Sequence, residues 1–225
     1  MRETAASAEH PPLIRSLLGP DAYPHAVAEV QLVETHISWV LLTGKFAYKV
    51  KKPVNLGFLD FSTLERRRRY CEEELRVNRR TAADLYIGVV PIGSDGDGFR
   101  VGREPAVEYA VRMRQFPHAA RLDRCLRAGR LGREEARSLA ITVARFHEGL
   151  PPRESADPAY EVERACKPAR NNFMHLDPAA FSDVAQQQLA VIEDWTLNQA
   201  ERLARVFAER ARRGAVRECH GDLHL

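Results

Sequence analysis

The sequence lacks several features that usually assign a protein to a class. Its four cysteines are widely separated and form no Cys-x-x-Cys pair, which argues against a structural zinc site and a thioredoxin-type centre. They are Cys71, Cys125, Cys166 and Cys219. No stretch approaches the roughly 20 apolar residues that span a bilayer, and residues 1–12 lack the charged start and apolar run of a signal peptide. We therefore expect reduced thiols and a cytoplasmic protein with no membrane partner.

Strong charge of one sign is also missing. The net charge is only +3 over 225 residues, whereas a dedicated nucleic-acid binder is usually far more basic. The run Arg66–Arg69 fans around a predicted helix, so we interpret it as solvated surface and expect no nucleic-acid partner. Hydrophobic residues make up 44% of the chain, which is enough to form a core.

The order of patterns predicts an α+β protein with two lobes. Residues 1–12 are expected to form a flexible arm, residues 13–116 a small lobe of strands with one main helix, and residues 117–225 an incomplete helical lobe. In the first lobe, Ser62 is the predicted cap of the main helix, with Glu65 at capping-box spacing.

Three further expectations concern burial and local structure. Alternation along 106–114 predicts a buried face made of Val107, Tyr109, Val111 and Met113. Residues 151–175 are polar and are predicted to be irregular. A long helix over about 178–213 is predicted to face a core with six apolar residues: Leu189, Ile192, Trp195, Leu203, Val206 and Phe207.

The strongest chemical signal is the motif His220-Gly221-Asp222-Leu223-His224. Phosphoryl transfer to a hydroxyl needs a loop carboxylate that accepts or orients the hydroxyl proton, and Asp222 fits that role. In this interpretation His220 and His224 orient the loop. A competing interpretation is a metal-dependent hydrolase in which His220, Asp222 and His224 bind zinc. That site would need further ligands, and the other histidines of the sequence stand alone.

This motif resembles the catalytic loop of the aminoglycoside phosphotransferases and related small-molecule kinases. The resemblance extends upstream through three segments, 34–40 (ETHISWV), 47–53 (AYKVKKP) and 57–61 (GFLDF), and through the helical residues 72–76 and 78–80. They are similar to a bacterial branch of aminoglycoside phosphotransferase-like domains often fused to a P-loop ATP-binding domain. The resemblance implies a bilobal protein-kinase-like fold and ATP-dependent transfer of phosphate to a hydroxyl of a small molecule. It also implies a possible fused or downstream P-loop ATPase partner, and it does not identify the acceptor.

Lys49 is the second element of the predicted site. Strand alternation sets Ala47 and Lys49 on one face, as kinase folds require of a small residue under adenine and a lysine on the α- and β-phosphates. Lys51 lies on the same face, so the assignment between Lys49 and Lys51 stays open. A strand edge carrying solvated lysines would show the same pattern.

The remaining nucleotide-binding residues follow from the resemblance and from position. The family spacing favours Glu74 as the partner of the lysine, with Glu73 as the alternative. Met113 is expected behind the adenine, and Arg114 to Phe116 is expected to be the hinge that meets it. Ser38 is the candidate phosphate contact, because the loop that covers the phosphates in kinases is not glycine-rich here.

The resemblance also implies Mg²⁺, held by an asparagine and a later acidic residue in positions beyond Leu225. Because phosphoryl transfer depends on metal and positioning, we expect no useful kinase activity from residues 1–225 alone. A pseudokinase or nucleotide-binding regulatory module of a fused ATPase is the alternative to an enzyme.

Overall fold

Alternating apolar residues place the strands of this protein in the first half of the chain, and helices make up the second half. In a computed structural model, the described residues are 2–3, 10–57, 59–153, 157–174, 176–221 and 223. The chain divides into two compact units: the first contains the residues up to Glu134 together with Leu223, and the second contains Glu135–Gly221. The protein has a mixed α+β fold.

The predicted lobes were residues 13–116 and 117–225, so the first of them lies within the first unit. Residues 2 and 3 of the predicted arm pair with the strand at 31–34. Residues 4–9 of that arm lie outside the described residues.

Within the described residues, seven strands form one antiparallel sheet in the first unit. They are β1 (Arg2–Glu3), β2 (Gln31–Glu34), β3 (Ser38–Leu42), β4 (Phe46–Lys51), β5 (Tyr86–Ser94), β6 (Phe99–Val101) and β7 (Ala106–Arg114). Their order across the sheet is β1-β2-β3-β4-β7-β5-β6. The turn into β4 uses Gly44, whose φ of 83° is a left-handed conformation open to glycine without a Cβ penalty. In this strand order, β4 lies inside the sheet, between β3 and β7.

One face of this sheet packs on the first helix, α1 (Pro12–Leu17). Ile14 and Leu17 of α1 are fully buried against Leu41, Tyr48 and Val50 of the sheet. Burial of such apolar side chains stabilises the fold by about 1.5–3 kcal/mol each. The core thereby fixes which face of β4 points away from α1.

The opposite face carries the long helix α2 (Leu64–Ala82). Its cap is Thr63, whose side chain accepts a hydrogen bond from the Arg66 amide. The prediction that Ser62 caps this helix is wrong. Ser62 lies one residue before the cap, and its hydroxyl instead donates a hydrogen bond to Asp60 at 2.6 Å.

A buried ion pair ties α2 to β7. Arg67 Nε lies 2.7 Å from Glu108 Oε2, and both side chains are about one-tenth exposed. Burial raises the pKa of Glu108 above its ordinary value, although the Tyr109 amide and Arg67 oppose this. The interpretation of Arg66–Arg69 as solvated surface is therefore wrong at Arg67, because a buried carboxylate needs a partner.

The buried face predicted for β7 is also partly wrong. Val107 is 42% exposed, whereas Glu108, Ala110 and Val111 are buried. Adjacent residues at the centre of β7 are both buried, so burial there does not alternate. The pairing with β5 shifts register at Val107, since Ile92 pairs with Glu108 and Gly93 with Ala106.

Four more helices follow the sheet in the described part of the chain: α3 (Leu122–Arg127), α4 (Arg133–Gly149), α5 (Pro158–Met174) and α6 (Asp183–Arg212). Short 3-10 turns lie at Pro20–Ala22, His118–Ala120 and Pro178–Ala180. The prediction that 151–175 is irregular is wrong over α5. In the second unit α5 packs along α6, and Cys166 and Glu161 of α5 are buried.

The apolar stripe of α6 is mostly uncovered in the described part of the chain. Ile192, Trp195, Leu203 and Val206 are between 41% and 63% exposed. The expectation that this stripe faces a core is wrong for these four residues. None of the helices among the described residues combines the length and apolar character needed to cross a bilayer.

Candidate functional site

The side chains of β4 alternate between the two faces of the sheet, and one set points towards α2. Ala47 lies opposite Met113, and Lys49 lies opposite Val111, so these four residues share a face. Ala47 is buried. Because Tyr48 and Val50 of the same strand fill the core beside α1, the register of β4 cannot slip by one residue without exposing that core.

Two lysines of β4 reach the same carboxylate. Lys49 Nζ lies 2.8 Å from Glu74 Oε1, and Lys51 Nζ lies 2.7 Å from Glu74 Oε2. Glu74 sits on α2, and its side chain is 13% exposed. The geometry thus selects Glu74 over Glu73, which is half exposed and pairs with Arg76 on its own helix. It does not select one lysine over the other.

The electrostatics of Glu74 combine two opposing effects. Burial favours the neutral acid, but the charges and hydrogen bonds of Lys49 and Lys51 together hold the pKa of Glu74 below its ordinary value. The carboxylate is therefore ionised at neutral pH. One turn later on α2, the side chain of Asn78 donates a hydrogen bond to the backbone carbonyl of Glu74.

Two uncharged groups border this cluster. Burial raises the pKa of Cys71, one turn before Glu74, to about 12, so it is a neutral thiol. Burial, and then the charge of Glu74, raise the pKa of Tyr86 to about 12. Neither group adds a negative charge at neutral pH. The formal charges of Lys49, Lys51 and Glu74 therefore sum to +1.

The residues predicted to meet adenine lie at the end of β7. Met113 is half-buried on the face shared with Ala47 and Lys49. The amide of Arg114 donates to Leu85 and that of Gln115 donates to Lys45, so both are engaged in the fold. Phe116 is 49% exposed. Adenine binding by this segment stays a prediction.

Ser38 is placed differently from the exposed phosphate contact that the sequence suggests. It is fully buried at the start of β3, directly opposite Lys51. Its hydroxyl has no hydrogen-bond partner among the described residues. Thr35 closes the turn before it by accepting a hydrogen bond from the Ser38 amide. A phosphate could reach this hydroxyl only if the turn at 35–38 moved.

The predicted catalytic loop is described only in part. His220 is half-buried and Gly221 is exposed with a φ of 81°, which favours glycine. Asp222 and His224 lie outside the described residues, so their predicted roles are untested. Among the residues that the structure describes, no three His, Cys, Asp or Glu side chains come together as a metal-binding group.

Sequence reasoning missed two features around the site. The shared use of Glu74 by Lys49 and Lys51 was signalled by their i, i+2 spacing, which sets both on one face. The Arg67–Glu108 pair was signalled more weakly, by an acidic residue flanked by apolar residues near the start of β7. Such a residue predicts a partner without naming it.

The chain is similar to three uncharacterized mycobacterial proteins. One is from Mycobacterium bovis and two are from strains of Mycobacterium tuberculosis, and each is 28% identical over 198 residues. The match covers 86% of this chain, and the chain spans only 38% of the length of these relatives. No protein-family model and no solved structure matches the chain.

Proposed function

We propose that this chain contains the ATP-binding lobe of a phosphotransferase with a bilobal protein-kinase-like fold, acting on a hydroxyl of a small molecule. The observation that carries the proposal is the ion pair between Lys49 of β4 and Glu74 of the following helix. Kinase-like phosphotransferases use this pair to hold a lysine on the α- and β-phosphates of ATP.

Three further observations support ATP as the ligand. Lys49 keeps 29% of its side chain exposed although it is paired, so an anion can approach it. The cluster with Lys51 and Glu74 has an excess of positive charge, as a phosphate site requires. Met113 is half-buried on the same face of the sheet as Ala47 and Lys49, and it offers an apolar surface for a planar base.

In the proposed reaction, Lys49 orients the phosphates and Asp222 accepts or orients the proton of the acceptor hydroxyl. Mg²⁺ would neutralise phosphate charge during transfer. The described residues provide no group of three acidic, His or Cys side chains for it, so we assign it no ligands here. The zinc-hydrolase interpretation depends on Asp222 and His224, which lie outside the described residues, and it stays a prediction.

Nucleotide binding tests the proposal directly, because it depends on the lobe that carries Lys49. Isothermal titration calorimetry with ATP and magnesium should give a Kd between about 1 μM and 1 mM, the range common for enzyme substrates. Lys49→Met should weaken binding at least about tenfold, the loss of one charge-assisted contact. Lys52→Met is the matched control, because Lys52 pairs with Glu34 instead.

The absence of ATP binding by the wild-type chain would contradict the proposal. If ATP binds, a turnover assay on the full-length protein distinguishes an enzyme from a pseudokinase. ADP release with hydroxylated acceptors that stops in Asp222→Asn indicates a phosphotransferase. Binding without turnover indicates a nucleotide-sensing module.

A further inference from the structure

The cluster on β4 contains one more cation than its carboxylate can neutralise. Each oxygen of Glu74 has its own ammonium partner, at 2.8 Å for Lys49 and 2.7 Å for Lys51. The buried carboxylate of β7, Glu108, is committed to Arg67 at 2.7 Å. If Glu74 served only to hold Lys49 in place, the second lysine, Lys51, would not be needed beside it.

The two lysines differ in their surroundings. The side chain of Lys51 is 5% exposed, and its ammonium also lies 4.9 Å from the centre of the Phe61 ring. The side chain of Lys49 is 29% exposed. A buried ammonium with two protein partners has no route to a ligand in solution. Lys51 is thereby suited to a fixed pairing, and Lys49 is suited to a pairing that a ligand can share.

We propose that Lys51 is a positioning residue that neutralises Glu74, so that the charge of Lys49 remains available to the phosphates of a nucleotide. This inference rests on the proposed function. With Lys49 as its sole partner, Glu74 would form a neutral pair, and a phosphate would compete with a buried carboxylate for one ammonium. With Lys51 in place, Glu74 keeps a close partner while Lys49 engages the phosphate.

The spacing of the two lysines explains how one strand performs both tasks. Residues i and i+2 of a strand point to the same face and lie about 6.6 Å apart along it. One carboxylate on a crossing helix can therefore contact both ammonium groups with different oxygens. The neighbours of the two lysines on β3 also differ. Lys51 lies opposite the buried Ser38, and Lys49 lies opposite the half-buried Val40.

The test is a double-mutant cycle read by calorimetry with ATP and magnesium. Lys51→Met should weaken ATP binding about tenfold, a typical coupling between neighbouring charges. Adding Glu74→Gln to Lys51→Met removes the competing carboxylate, so ATP binding should recover to within about threefold of Glu74→Gln alone. Glu73→Gln combined with Lys51→Met is the matched control, because Glu73 pairs with Arg76, and it should recover nothing.

The outcomes separate the two proposals. If the wild-type chain binds no ATP, the proposed function fails and this inference fails with it. If the wild-type chain binds ATP and Lys51→Met binds equally well, only the positioning role is overturned. The positioning role is also overturned if Lys51→Met costs as much in the Glu74→Gln background as alone, since Lys51 would then act directly on the ligand.

A second measurement needs no variant and covers the case in which Lys51→Met does not fold. The wild-type chain is acetylated briefly with a lysine-selective reagent, and each site is quantified by peptide mass spectrometry. ATP with magnesium should slow the labelling of Lys49 at least about threefold, while Lys51 stays slow throughout because it is buried. Lys52 is the internal reference. Protection of Lys51 in place of Lys49 would overturn the inference.

Discussion

Glu74 uses its two oxygens separately, and this arrangement makes it sensitive to pH. Burial alone would favour its neutral form, but Lys49 and Lys51 outweigh burial and hold the pKa of Glu74 below its ordinary value of 4.5. A carboxyl group whose pKa is lower in the folded state stabilises the fold at pH values above its unfolded pKa. That contribution disappears as the pH falls through the folded-state pKa.

We expect Glu74→Gln to reduce the free energy of unfolding by about 3 kcal/mol at pH 7, because it leaves two lysines without their carboxylate. The difference from wild type should stay constant down to about pH 5 and shrink below 4.5, because the unfolded chain then protonates Glu74 while the folded state, whose Glu74 has the lower pKa, still holds the carboxylate. Urea unfolding at several pH values measures both effects.

Glu73→Gln is the control for this experiment, since Glu73 is half exposed and pairs with Arg76 of the same helix. Its effect should stay within about 0.5 kcal/mol at every pH, as for other surface ion pairs. A Glu74→Gln penalty that does not change between pH 7 and pH 3 would show that the ion pairs contribute nothing to it.

At the scale of elements, the site depends on how α2 starts. The backbone of Thr63 is extended, and its hydroxyl accepts from the Arg66 amide, which fixes the first turn of the helix that carries Glu74. Thr63→Ala should therefore lower stability by about 1 kcal/mol, the usual cost of losing such a cap. Ser62→Ala removes a neighbouring hydroxyl that contacts Asp60 and should change stability by less than about 0.5 kcal/mol. Thermal and urea unfolding measure the stability loss of each variant. A larger loss for Ser62→Ala than for Thr63→Ala would show that Ser62 is the cap.

The elements that sequence could predict are those in which local pattern and tertiary packing agree. Strand β4 is one of these, since its aromatic and β-branched residues alternate with Ala47 and two lysines, and its register in the sheet sets Ala47 and Lys49 on one face. Helix α5 was missed because residues 151–175 are polar, and it also contains Pro168, a residue that lacks an amide hydrogen and normally interrupts a helix. Its packing along α6 is a tertiary effect that no local pattern contains.

The same limit applies to the site residues. The pairing of a β4 lysine with Glu74 could be predicted to within two alternatives on each side. Strand alternation sets Lys49 and Lys51 on one face, and the resemblance to the phosphotransferases favours Glu74 with Glu73 as the alternative. The cap at Thr63 and the burial of Arg67 could not be predicted. The cap depends on the hydrogen bond between Ser62 and Asp60, and the burial depends on the ion pair between Arg67 and Glu108. Glu108 lies 41 residues from Arg67, so only the folded sheet brings them together.

At the scale of the whole molecule, burial is distributed unequally between the two units. Among the described residues, the fully buried apolar side chains lie in the first unit, around β3, β4, β7 and α1. In the second unit only Glu161 and Cys166 are buried in the described part, and several large apolar residues of α6 are exposed. Packing of apolar side chains is the main source of local stability, so each unit should resist opening to a different degree.

Hydrogen exchange measures this difference. We expect amides of β4 and β7 to exchange at least about tenfold more slowly than those in the middle of α6, which corresponds to about 1.4 kcal/mol in opening free energy. Both sets are hydrogen-bonded within regular structure, so the comparison isolates packing from backbone bonding. Helix α2 is the internal control, because it is a helix like α6 but buries Arg67 and Cys71 against the sheet, and its protection should follow the strands. Equal protection of α2 and α6 would show that packing within the described residues does not determine stability in the second unit.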